Sequence, residues 1–405
     1  MSKSSKKMLL ISSNYWPEST GIGVYSTDLA ENAFSQFYDV TVLTGLPHYP
    51  WWKIPDQFQD MIPGNYTKNN VRLIRVQHAI PKSAGAIGRA RLEFSFWRNM
   101  RKVLRKNPEQ EFDCIVAIMP TVASGLVTRQ FATKRNLHFY MVFQDISSAG
   151  ARESGMPGAR WLSKIGYLLE KRAIRGATGV AIVSDAMRET ITNLANAKTP
   201  ITLLPNYSIH EASNISKQEA RAYFRLSANE FIFLHSGNIG HKQDLLNLVE
   251  ASRLIQNASV RIYIVGHGNQ ENVIRDAIAD QENVTWLPSV PMEDYKYLLA
   301  SADVLLVNER STQLSMSLPS KITSYLSSNR PILAAVPEGG ATAVYLATVA
   351  RLVPSGNPEK LAEAIDAFVS DPKIGAELAS KGLQLFHSDF SKERAYSKYL
   401  EWISQ

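Results

Sequence analysis

The two halves of the chain repeat one local pattern: a short apolar run, a glycine-containing loop and a stretch whose apolar residues have helical spacing. In the first half, the run 8–13 (MLLISS) precedes the loop 14–24 (NYWPESTGIGV). In the second half, the run 230–235 (EFIFLH) precedes the loop 236–242 (SGNIGHK). Strand, glycine loop and helix form the layout of a phosphate site in a parallel α/β sheet. The pattern therefore predicts an α/β chain with an anion site in each half.

Further short apolar runs alternate with helix-like segments along both halves, as they do in βαβ proteins. They lie at 39–44, 71–76, 114–119, 138–143, 179–183 and 201–204, and then at 260–265, 284–287, 302–307, 331–336 and 351–353. This alternation predicts a doubly wound parallel sheet in each half.

The length of the chain indicates two domains. With 405 residues, of which 45% are hydrophobic and 20% charged, the chain exceeds one usual core and has a globular composition. The segment 205–213 (PNYSIHEAS) is the best linker, because it follows the last strand of the first half and precedes a charged start. We therefore predict a first domain at 1–207 and a second at 208–387.

Charge and cysteine content narrow the class of partner and compartment. The net charge of +7 and the pI near 9.2 permit anionic partners such as nucleotides or acidic lipid headgroups. The single cysteine, Cys114, excludes a disulfide framework and fits a reducing compartment. The apolar run 8–11 is too short for a signal peptide, and no segment reaches the roughly 18 to 20 apolar residues of a spanning helix. We expect a cytoplasmic protein that is soluble or peripheral on the inner face of the cell membrane.

The segment 82–106 is the most basic part of the chain, with eight Lys or Arg residues and one acid, Glu93. If 89–106 is helical, one face carries Ala90, Phe94, Trp97 and Leu104, with Met100 near it, while Arg91, Arg98, Lys102 and Arg105 lie largely elsewhere. This distribution is typical of a helix at a membrane surface. A helix packed on the core, with a solvated basic face, has the same pattern.

Two loops of the first half carry candidate recognition residues. The loop 46–53 (LPHYPWWK) places His48, Tyr49 and Trp51 beside prolines. Aromatic residues in such a loop stack on sugars or pack interfaces, so it is either a recognition loop or a wall between domains. Asp145 follows a strand-like run and precedes a glycine-rich segment, where it could bind a hydroxyl group or accept a proton. Helix capping or a structural salt bridge would equally explain it.

The stretch 308–336 is the main candidate site of the second half. A polar loop after the strand 302–307 leads through Ser320 and Lys321 into a helix. Free N–H groups at such a helix start favour anions, so a lysine beside serines suits a diphosphate. The alternative is an ordinary helix that is capped by Ser320 and has a solvated Lys321. The glycine loop at 236–242, with Lys242, is likewise expected to bind a phosphate.

Seven short motifs, in this order, resemble those of bacterial family-four glycosyltransferases, especially sugar transferases of exopolysaccharide operons such as colanic acid. They are N-x-x-P-E-x-T-G-I-G-x-Y at 14–25, P-x-Y-P at 47–50, Q-D at 144–145, P-N at 205–206, S-G-N-I-G-x-K-Q at 236–243, V-G-x-G at 265–268 and L-P-S-K at 318–321. The resemblance spans nearly the whole chain. It implies the GT-B fold, in which two Rossmann-like doubly wound parallel-sheet domains face a cleft and the C-terminal helix, here about 388–405, packs back on the first domain.

The resemblance implies a hexosyltransferase that moves a sugar from a GDP- or UDP-sugar to a glycan or lipid-linked oligosaccharide in surface polysaccharide biosynthesis. The donor would bind mainly to the second domain and the acceptor mainly to the first, with retention of anomeric configuration. No metal and no other cofactor is expected, since the chain contains no D-x-D motif. No nucleic-acid partner is expected either.

The resemblance also implies roles for single residues. Lys242 matches a lysine that neutralises the donor diphosphate together with an arginine, whose place is taken by Asn238. Ser320 and Lys321 look like further phosphate contacts, and 288–290 is where the base is held by backbone groups. The other donor-side positions are Gly21, Gly23, Gly237, Gly266 and Ser324. Asp145 replaces an acceptor-side polar group, and with Lys242 and Lys321 it completes the predicted catalytic set. The acceptor or membrane side comprises His48, Tyr49, Trp51, Arg91, Trp97 and Arg98.

Besides Asn238, the chain departs from the family at two acidic positions. Members commonly carry two glutamates eight positions apart, the second of which holds the donor ribose; here the places are taken by Met316 and Ser324. Glu309 is near in sequence but out of register. Either donor recognition differs from the usual pattern, or the chain is a catalytically impaired homologue that binds a nucleotide sugar as a partner or regulatory subunit. A nicotinamide oxidoreductase is disfavoured, because neither glycine loop has the G-x-G-x-x-G pattern with an acid about 20 residues on.

Overall fold

A computed structural model describes residues 6–81, 86–107, 110–119, 121–148, 159–212, 214–311 and 318–404. The chain divides into two compact units, Met1–Pro205 with Tyr396–Gln405, and Asn206–Ala395. The division falls close to the predicted boundary at 207, but it assigns to the first unit only the last ten residues rather than the whole predicted C-terminal helix.

The first unit contains an eight-stranded sheet in the order β3-β4-β2-β1-β5-β6-β7-β8. Its strands are β1 Lys6–Ile11, β2 Tyr38–Gly45, β3 Gly64–Lys68, β4 Val71–Val76, β5 Cys114–Met119, β6 His138–Phe143, β7 Gly179–Ile182 and β8 Ile201–Leu203. All neighbours are parallel except β3, which is antiparallel to β4. The strand order reverses between β1 and β5, which is where open α/β sheets bind ligands.

The helices of the first unit are α1 Ile22–Asp28, α2 Ala86–Lys106, α3 Val122–Arg135, α4 Ala159–Ile174 and α5 Arg188–Leu194. The terminal helix, α14 Lys392–Ile403, packs its later part on the same unit. The ring of Tyr399 lies 6.3 Å from that of Phe34, and the ring of Trp402 lies 5.1 Å from that of Tyr140. The predicted return of the C-terminal helix to the first domain is therefore observed.

The second unit contains a six-stranded parallel sheet in the order β11-β10-β9-β12-β13-β14. Its strands are β9 Phe231–Ser236, β10 Val260–Val265, β11 Val284–Leu287, β12 Val304–Asn308, β13 Ile332–Val336 and β14 Ala350–Pro354. Its helices are α6 Lys217–Phe224, α7 Leu245–Ser252, α8 Glu271–Ala277, α9 Tyr295–Ser301, α10 Ser320–Ser327, α11 Ala341–Leu346, α12 Pro358–Ser370 and α13 Pro372–Leu385. The order reverses between β9 and β12, so the predicted class of two doubly wound α/β domains is confirmed.

Burial on both faces of the sheet explains why its strands read as uninterrupted apolar runs. In β12, Val304 and Leu306 belong to one hydrophobic cluster, whereas Leu305 and Val307 belong to another on the opposite face. A parallel sheet that is covered by helices on both sides selects apolar residues at every position. The alternation of runs and helices in the sequence was for this reason a direct guide to the fold.

The structure adds one strand and corrects one helix. The strand β3, which was not predicted, is a polar edge strand whose hairpin turns at Asn69 and Asn70, both with positive φ. The helix α2 begins earlier than predicted, and its buried stripe differs. That stripe is Leu92, Phe96, Met100 and Leu104, while Ala90 and Phe94 are exposed. The predicted face was wrong because the residues that pack on the core are four positions apart, from Leu92 to Leu104. Phe94 lies more than a third of a turn from the middle of that stripe.

Candidate functional site

Two glycine loops interlock at the carboxyl end of the second sheet, next to the point where the strand order reverses. Gly237 follows β9 with φ 124°, and Gly266 follows β10 with φ 144°. The N–H of Gly237 donates to the carbonyl of Val265 at 2.9 Å. A Cβ atom on Gly266 would lie 1.9 Å from the carbonyl oxygen of Gly237, so only glycine fits there. The predicted glycine positions therefore form the floor of one site.

Lys321 brings a cation to this floor from the first turn of α10. Its Nζ lies 3.2 Å from Nε2 of His235. It would lie 3.6 Å from a Cβ atom placed on Gly237, so the lysine lies directly against this glycine. Burial lowers the pKa of Lys321 to about 7, against the opposing effect of the Glu309 carboxylate. The ammonium group of Lys321 is thus held next to the glycine loop. The charge of Glu309 offsets only part of the effect of burial on its pKa.

His235, near the end of β9, is fully buried and was not identified from the sequence. Burial, together with the neighbouring charge of Lys321, holds the pKa of His235 well below its ordinary value. A neutral imidazole has one nitrogen with a free lone pair, and the geometry assigns Nε2 as the acceptor of a hydrogen bond from the Lys321 ammonium. His235 therefore orients Lys321.

Glu309 follows β12, on the other side of the strand-order reversal. Its N–H donates to the carbonyl of Ala335 at 2.9 Å, and its Oε1 accepts a hydrogen bond from the hydroxyl of Thr342 at 2.6 Å. Burial raises the pKa of Glu309, while Thr342 and the charge of Lys321 oppose this. Although out of register with the family pattern, this carboxylate is near enough to Lys321 for the two charges to act on each other.

Lys242 lies in a turn that is tied to the loop after β12. Its carbonyl accepts a hydrogen bond from the N–H of Arg310 at 2.9 Å, and both residues are exposed. Asn238, at the place of the family arginine, is exposed too, and its amide nitrogen lies 3.4 Å from Oε1 of Gln243. Arg310 is thereby a second cation next to Lys242, which sequence position alone did not show.

The start of α10 does not match the capped-helix alternative. Ser320 is the first helical residue, Pro319 occupies the N-cap, and no described side chain accepts a hydrogen bond there. Uncapped N–H groups at a helix start are available to an anion. Ser324 is buried within the same helix, while Met316, with the neighbouring Ser315 and Ser317, lies outside the described residues.

The glycine loop of the first unit is fastened by Glu18, which is 3% exposed. Its Oε1 accepts hydrogen bonds from the N–H groups of His48 and Tyr49 at 2.8 and 2.9 Å, and its Oε2 accepts one from the amide of Asn14 at 2.7 Å. A Cβ atom on Gly23 would lie 2.9 Å from Cβ of Glu18. Burial raises the pKa of Glu18, although these hydrogen bonds oppose the rise. Glu18 joins the glycine loop to the aromatic loop, a role that was not predicted for it.

The aromatic loop divides into buried and exposed members. His48 is buried; its Nδ1 lies 3.1 Å from the carbonyl oxygen of Leu46 and 3.4 Å from Oε1 of Glu18. Its ring lies 4.6 Å from that of His78, and burial lowers the pKa of both histidines. Tyr49 and Trp51 are each 38% exposed, so they are the members able to meet a ligand.

Gly21 brings the two loops of the first unit into contact. It precedes α1 with φ 62°, and a Cβ atom there would lie 3.1 Å from the ring of Tyr49. Any side chain at Gly21 would thus be strained in its backbone and crowded by the tyrosine. Gly21, Gly23, His48 and Tyr49, which the sequence singled out separately, are therefore one structural cluster. Their roles toward a ligand remain predictions.

Asp145 is exposed at the carboxyl end of β6, where its Oδ1 accepts a hydrogen bond from the N–H of Ile146 at 2.7 Å. The buried Glu170 instead binds the following turn, accepting hydrogen bonds from the N–H and hydroxyl of Ser148 at 3.2 and 2.5 Å. The capping role that the sequence offered for Asp145 therefore belongs to Glu170. Asp145 is left with an accessible carboxylate.

Arg91, Trp97 and Arg98 lie on α2. Arg91 and Arg98 are exposed, and the ring of Trp97 is covered by the guanidinium group of Arg101 at 4.3 Å. Among the described residues, no three His, Cys, Asp or Glu side chains are grouped as metal ligands would be. Nor does any described helix combine the length and apolar character needed to cross a membrane.

Both units match glycosyltransferase family models. Residues 20–207 match the glycosyl transferase 4-like domain, and residues 216–384 match glycosyl transferases group 1. The chain is also 25% identical over 332 residues to the putative colanic acid biosynthesis glycosyl transferase WcaI of Escherichia coli K12, covering 79% of this chain and 81% of that protein.

Solved structures share the fold over nearly the whole chain. Sucrose-phosphate synthase from Thermosynechococcus elongatus superposes with a TM-score of 0.77 at 16% identity, covering 99% of this chain and 98% of that one. Anabaena HepE in complex with UDP gives 0.71 at 15% identity, covering 98% and 99%. Together with the two family models, these matches establish the class that the motifs indicated. The chain is a glycosyltransferase of the GT-B fold, built from a glycosyl transferase 4-like domain followed by a glycosyl transferases group 1 domain.

Proposed function

We propose that this enzyme transfers a sugar from a UDP- or GDP-sugar to a glycan or lipid-linked oligosaccharide in surface polysaccharide biosynthesis. The observation that carries the proposal is the Lys321 ammonium, held 3.2 Å from His235 beneath the Gly237 loop. Two relatives support it: WcaI is named for colanic acid biosynthesis, and HepE has been solved in complex with UDP-glucose.

The second unit has the charges that a departing diphosphate requires. Lys321 supplies a partly buried cation, Lys242 and Arg310 supply two exposed ones, and the start of α10 supplies uncapped N–H groups. Fixed positive groups aimed at developing negative charge are a main source of rate enhancement in group transfer. Because these groups can carry that charge themselves, we propose that transfer needs no added metal. Retention of the anomeric configuration by front-face attack is proposed from the family resemblance. Transfer that is unchanged by excess EDTA is the expected result.

We assign acceptor binding to the first unit. Tyr49 and Trp51 present partly exposed rings from a loop that Glu18 fastens, and Asp145 presents an accessible carboxylate. Aromatic faces suit sugar rings, and a carboxylate suits a hydroxyl group. These residues would hold the acceptor hydroxyl against the anomeric carbon of the donor, and such positioning of the two reactants accelerates the reaction.

We further propose that α2 binds the anionic surface of a membrane. Once the core stripe of α2 is identified, Ile87 and Phe94 are left 80% and 63% exposed. On a helix of 100° per residue they fall on the same side as the exposed Arg91, Arg98 and Lys102. Exposed apolar side chains interleaved with cations are what an interfacial helix presents to acidic lipids, and a merely solvated basic face does not need them.

The donor proposal is tested by the thermal unfolding of the full chain in a panel of UDP, GDP, NAD and several UDP- and GDP-sugars. A nucleotide sugar should raise the midpoint, since a ligand that binds only the folded state stabilises it. Transfer is then followed as release of the nucleoside diphosphate in the presence of a lipid-linked glycan acceptor. Stabilisation by NAD with no effect of any nucleotide sugar would overturn the proposal.

A further inference from the structure

We propose that Glu309 binds a hydroxyl group of the nucleotide-sugar donor, in place of the carboxylates that the chain lacks at Met316 and Ser324. The inference rests on the proposed function, because it names a contact of the same donor. It assigns donor recognition to a residue outside the family's glutamate pattern, and it explains how this chain can be an enzyme without those glutamates.

The position of Glu309 in the fold suits a ligand contact. It is the first residue after β12, and the hydrogen bond from its N–H to the carbonyl of Ala335, at 2.9 Å, continues the pairing of β12 with β13. Its backbone is therefore as well fixed as the strand itself. β12 and β9 are the two strands between which the order of the sheet reverses. The crevice outside the carboxyl ends of such strands is where open α/β sheets bind ligands.

The carboxylate is oriented but not saturated. Oε1 accepts a hydrogen bond of 2.6 Å from the hydroxyl of Thr342, near the start of α11. Oε2 accepts none from any described residue, and Glu309 is only partly buried. One oxygen thus fixes the group while the other remains open to a donor. A carboxylate can only accept, so its natural partner on a nucleotide sugar is a hydroxyl group.

The charges of Lys321 and Glu309 suit two different ligand groups, a phosphate and a hydroxyl. The charge of Glu309 acts on Lys321, but the two side chains are not among the ion pairs found in the described part of the chain. Lys321 therefore keeps its ammonium for a phosphate, while Glu309 stays available for a hydroxyl nearby. A nucleotide sugar presents phosphates and hydroxyls next to each other, so the two side chains match two parts of one molecule.

The unused polar capacity continues into the preceding residue. Asn308 is 2% exposed, and neither its amide oxygen nor its amide nitrogen has a partner among the described residues. Partial burial also raises the pKa of Glu309, so the ionised carboxylate is held at a cost in folding free energy. A buried polar group without a partner calls for a water molecule, an ion or a ligand, so Asn308 leaves unused polar capacity at the end of β12.

Calorimetric titration of the full chain with UDP-glucose, UDP, GDP-mannose and GDP tests the inference. Glu309→Gln should bind the nucleotide sugar about 10- to 100-fold more weakly than wild type, the usual effect of losing a hydrogen bond to a charged group. Its unfolding midpoint should be equal or higher, because a partly buried charge is removed. An equal loss for the matching nucleoside diphosphate places the hydroxyl on the ribose, whereas a loss confined to the nucleotide sugar places it on the transferred sugar.

Three further variants separate recognition from a structural role. Thr342→Val removes the hydroxyl that orients Oε1 and should weaken binding several-fold, whereas Thr342→Ser should restore it. Glu363→Gln, on the exposed surface of α12, is the matched control and should bind as wild type does.

The possible failures are distinct. If wild type binds the donor and Glu309→Gln binds it equally well, the inference is wrong and the proposed function stands. A lower unfolding midpoint of Glu309→Gln with unchanged affinity would likewise reduce Glu309 to a structural role. If wild type binds no nucleotide or nucleotide sugar, the proposed function itself fails.

Discussion

Nζ of Lys321 lies 3.2 Å from Nε2 of His235, although the two residues are 86 positions apart in the chain. The contact joins a side chain near the end of β9 to the first turn of α10. It fixes a cation at the place where two glycine loops meet, before any ligand arrives. Such preorganisation spares the reaction the reorganisation that a mobile lysine would require.

Donor binding should take up a proton. The pKa of Lys321 is lowered to about 7, so above pH 7 the free protein holds this lysine increasingly neutral. A bound diphosphate favours the ammonium form, and the affinity for a nucleotide sugar should therefore fall as the pH rises from 7 to 9. Calorimetry in buffers of different ionisation enthalpy measures the uptake directly.

The matched variants for this prediction are Lys321→Met and Lys242→Met. The first should bind more weakly and lose the proton uptake. The second removes an exposed cation, and it should weaken binding while leaving the uptake in place. Uptake that persists unchanged in Lys321→Met would assign the proton to another group.

His235 should matter through Lys321. His235→Phe removes the acceptor and should reduce kcat/KM for transfer by about tenfold, as expected for one lost hydrogen bond to a charged group. It should also change the pH dependence of binding, because the Lys321 ammonium group loses its acceptor. His235→Gln retains an acceptor and should recover part of the loss. A fall in stability with unchanged kcat/KM and pH profile would show that His235 acts only in packing.

Glu18 should stabilise the first unit by joining its two loops. Glu18→Ala leaves two backbone N–H groups and the Asn14 amide without their acceptor, and should lower the free energy of unfolding by about 2 kcal/mol. Glu18→Gln keeps one acceptor oxygen and should lose less. Urea unfolding measures both, and equal stabilities of the alanine variant and wild type would contradict the role.

The face of α2 should determine binding to anionic vesicles. Reversing Arg91, Arg98 and Lys102 to Glu should abolish sedimentation with phosphatidylglycerol-containing vesicles at low salt, since each cation near such a surface contributes about 1 kcal/mol. Phe94→Ser should weaken binding even at equal charge. A control reverses Lys360, Lys373 and Lys381, which are exposed in the second unit. Sedimentation that is lost equally in the control would mean that only net charge matters.

The sequence predicted most of the fold because the strands are buried on both faces. In a chain with this alternation, an uninterrupted apolar run such as 114–119 has few alternatives to forming a buried strand. The edge strand β3 was missed, since Asn65 and Thr67 face water and carry no such signal. The face of α2 was misassigned because two apolar stripes overlap on that helix, and only tertiary packing decides which one is covered.

For the site, local motifs identified the loops but not the side chains that complete them. Gly237 and Lys321 stand in recognisable patterns, whereas His235 is a single polar residue at the end of an apolar strand. Glu309 gains its meaning from Thr342, 33 positions later. Pairings of this kind depend on strand order and register, which periodicity does not contain. A polar residue near the end of a buried strand is the signal that could have indicated His235.

The central claim is that the second unit binds a nucleotide sugar around Lys321. Its most direct test is calorimetric titration of wild type and Lys321→Met with UDP-glucose and GDP-mannose at pH 7. Wild type should bind at least one of them, and Lys321→Met should bind it about tenfold or more weakly, the effect of losing a charge-assisted contact to phosphate. Equal binding by the two proteins, or no binding to either nucleotide sugar by wild type, would contradict it.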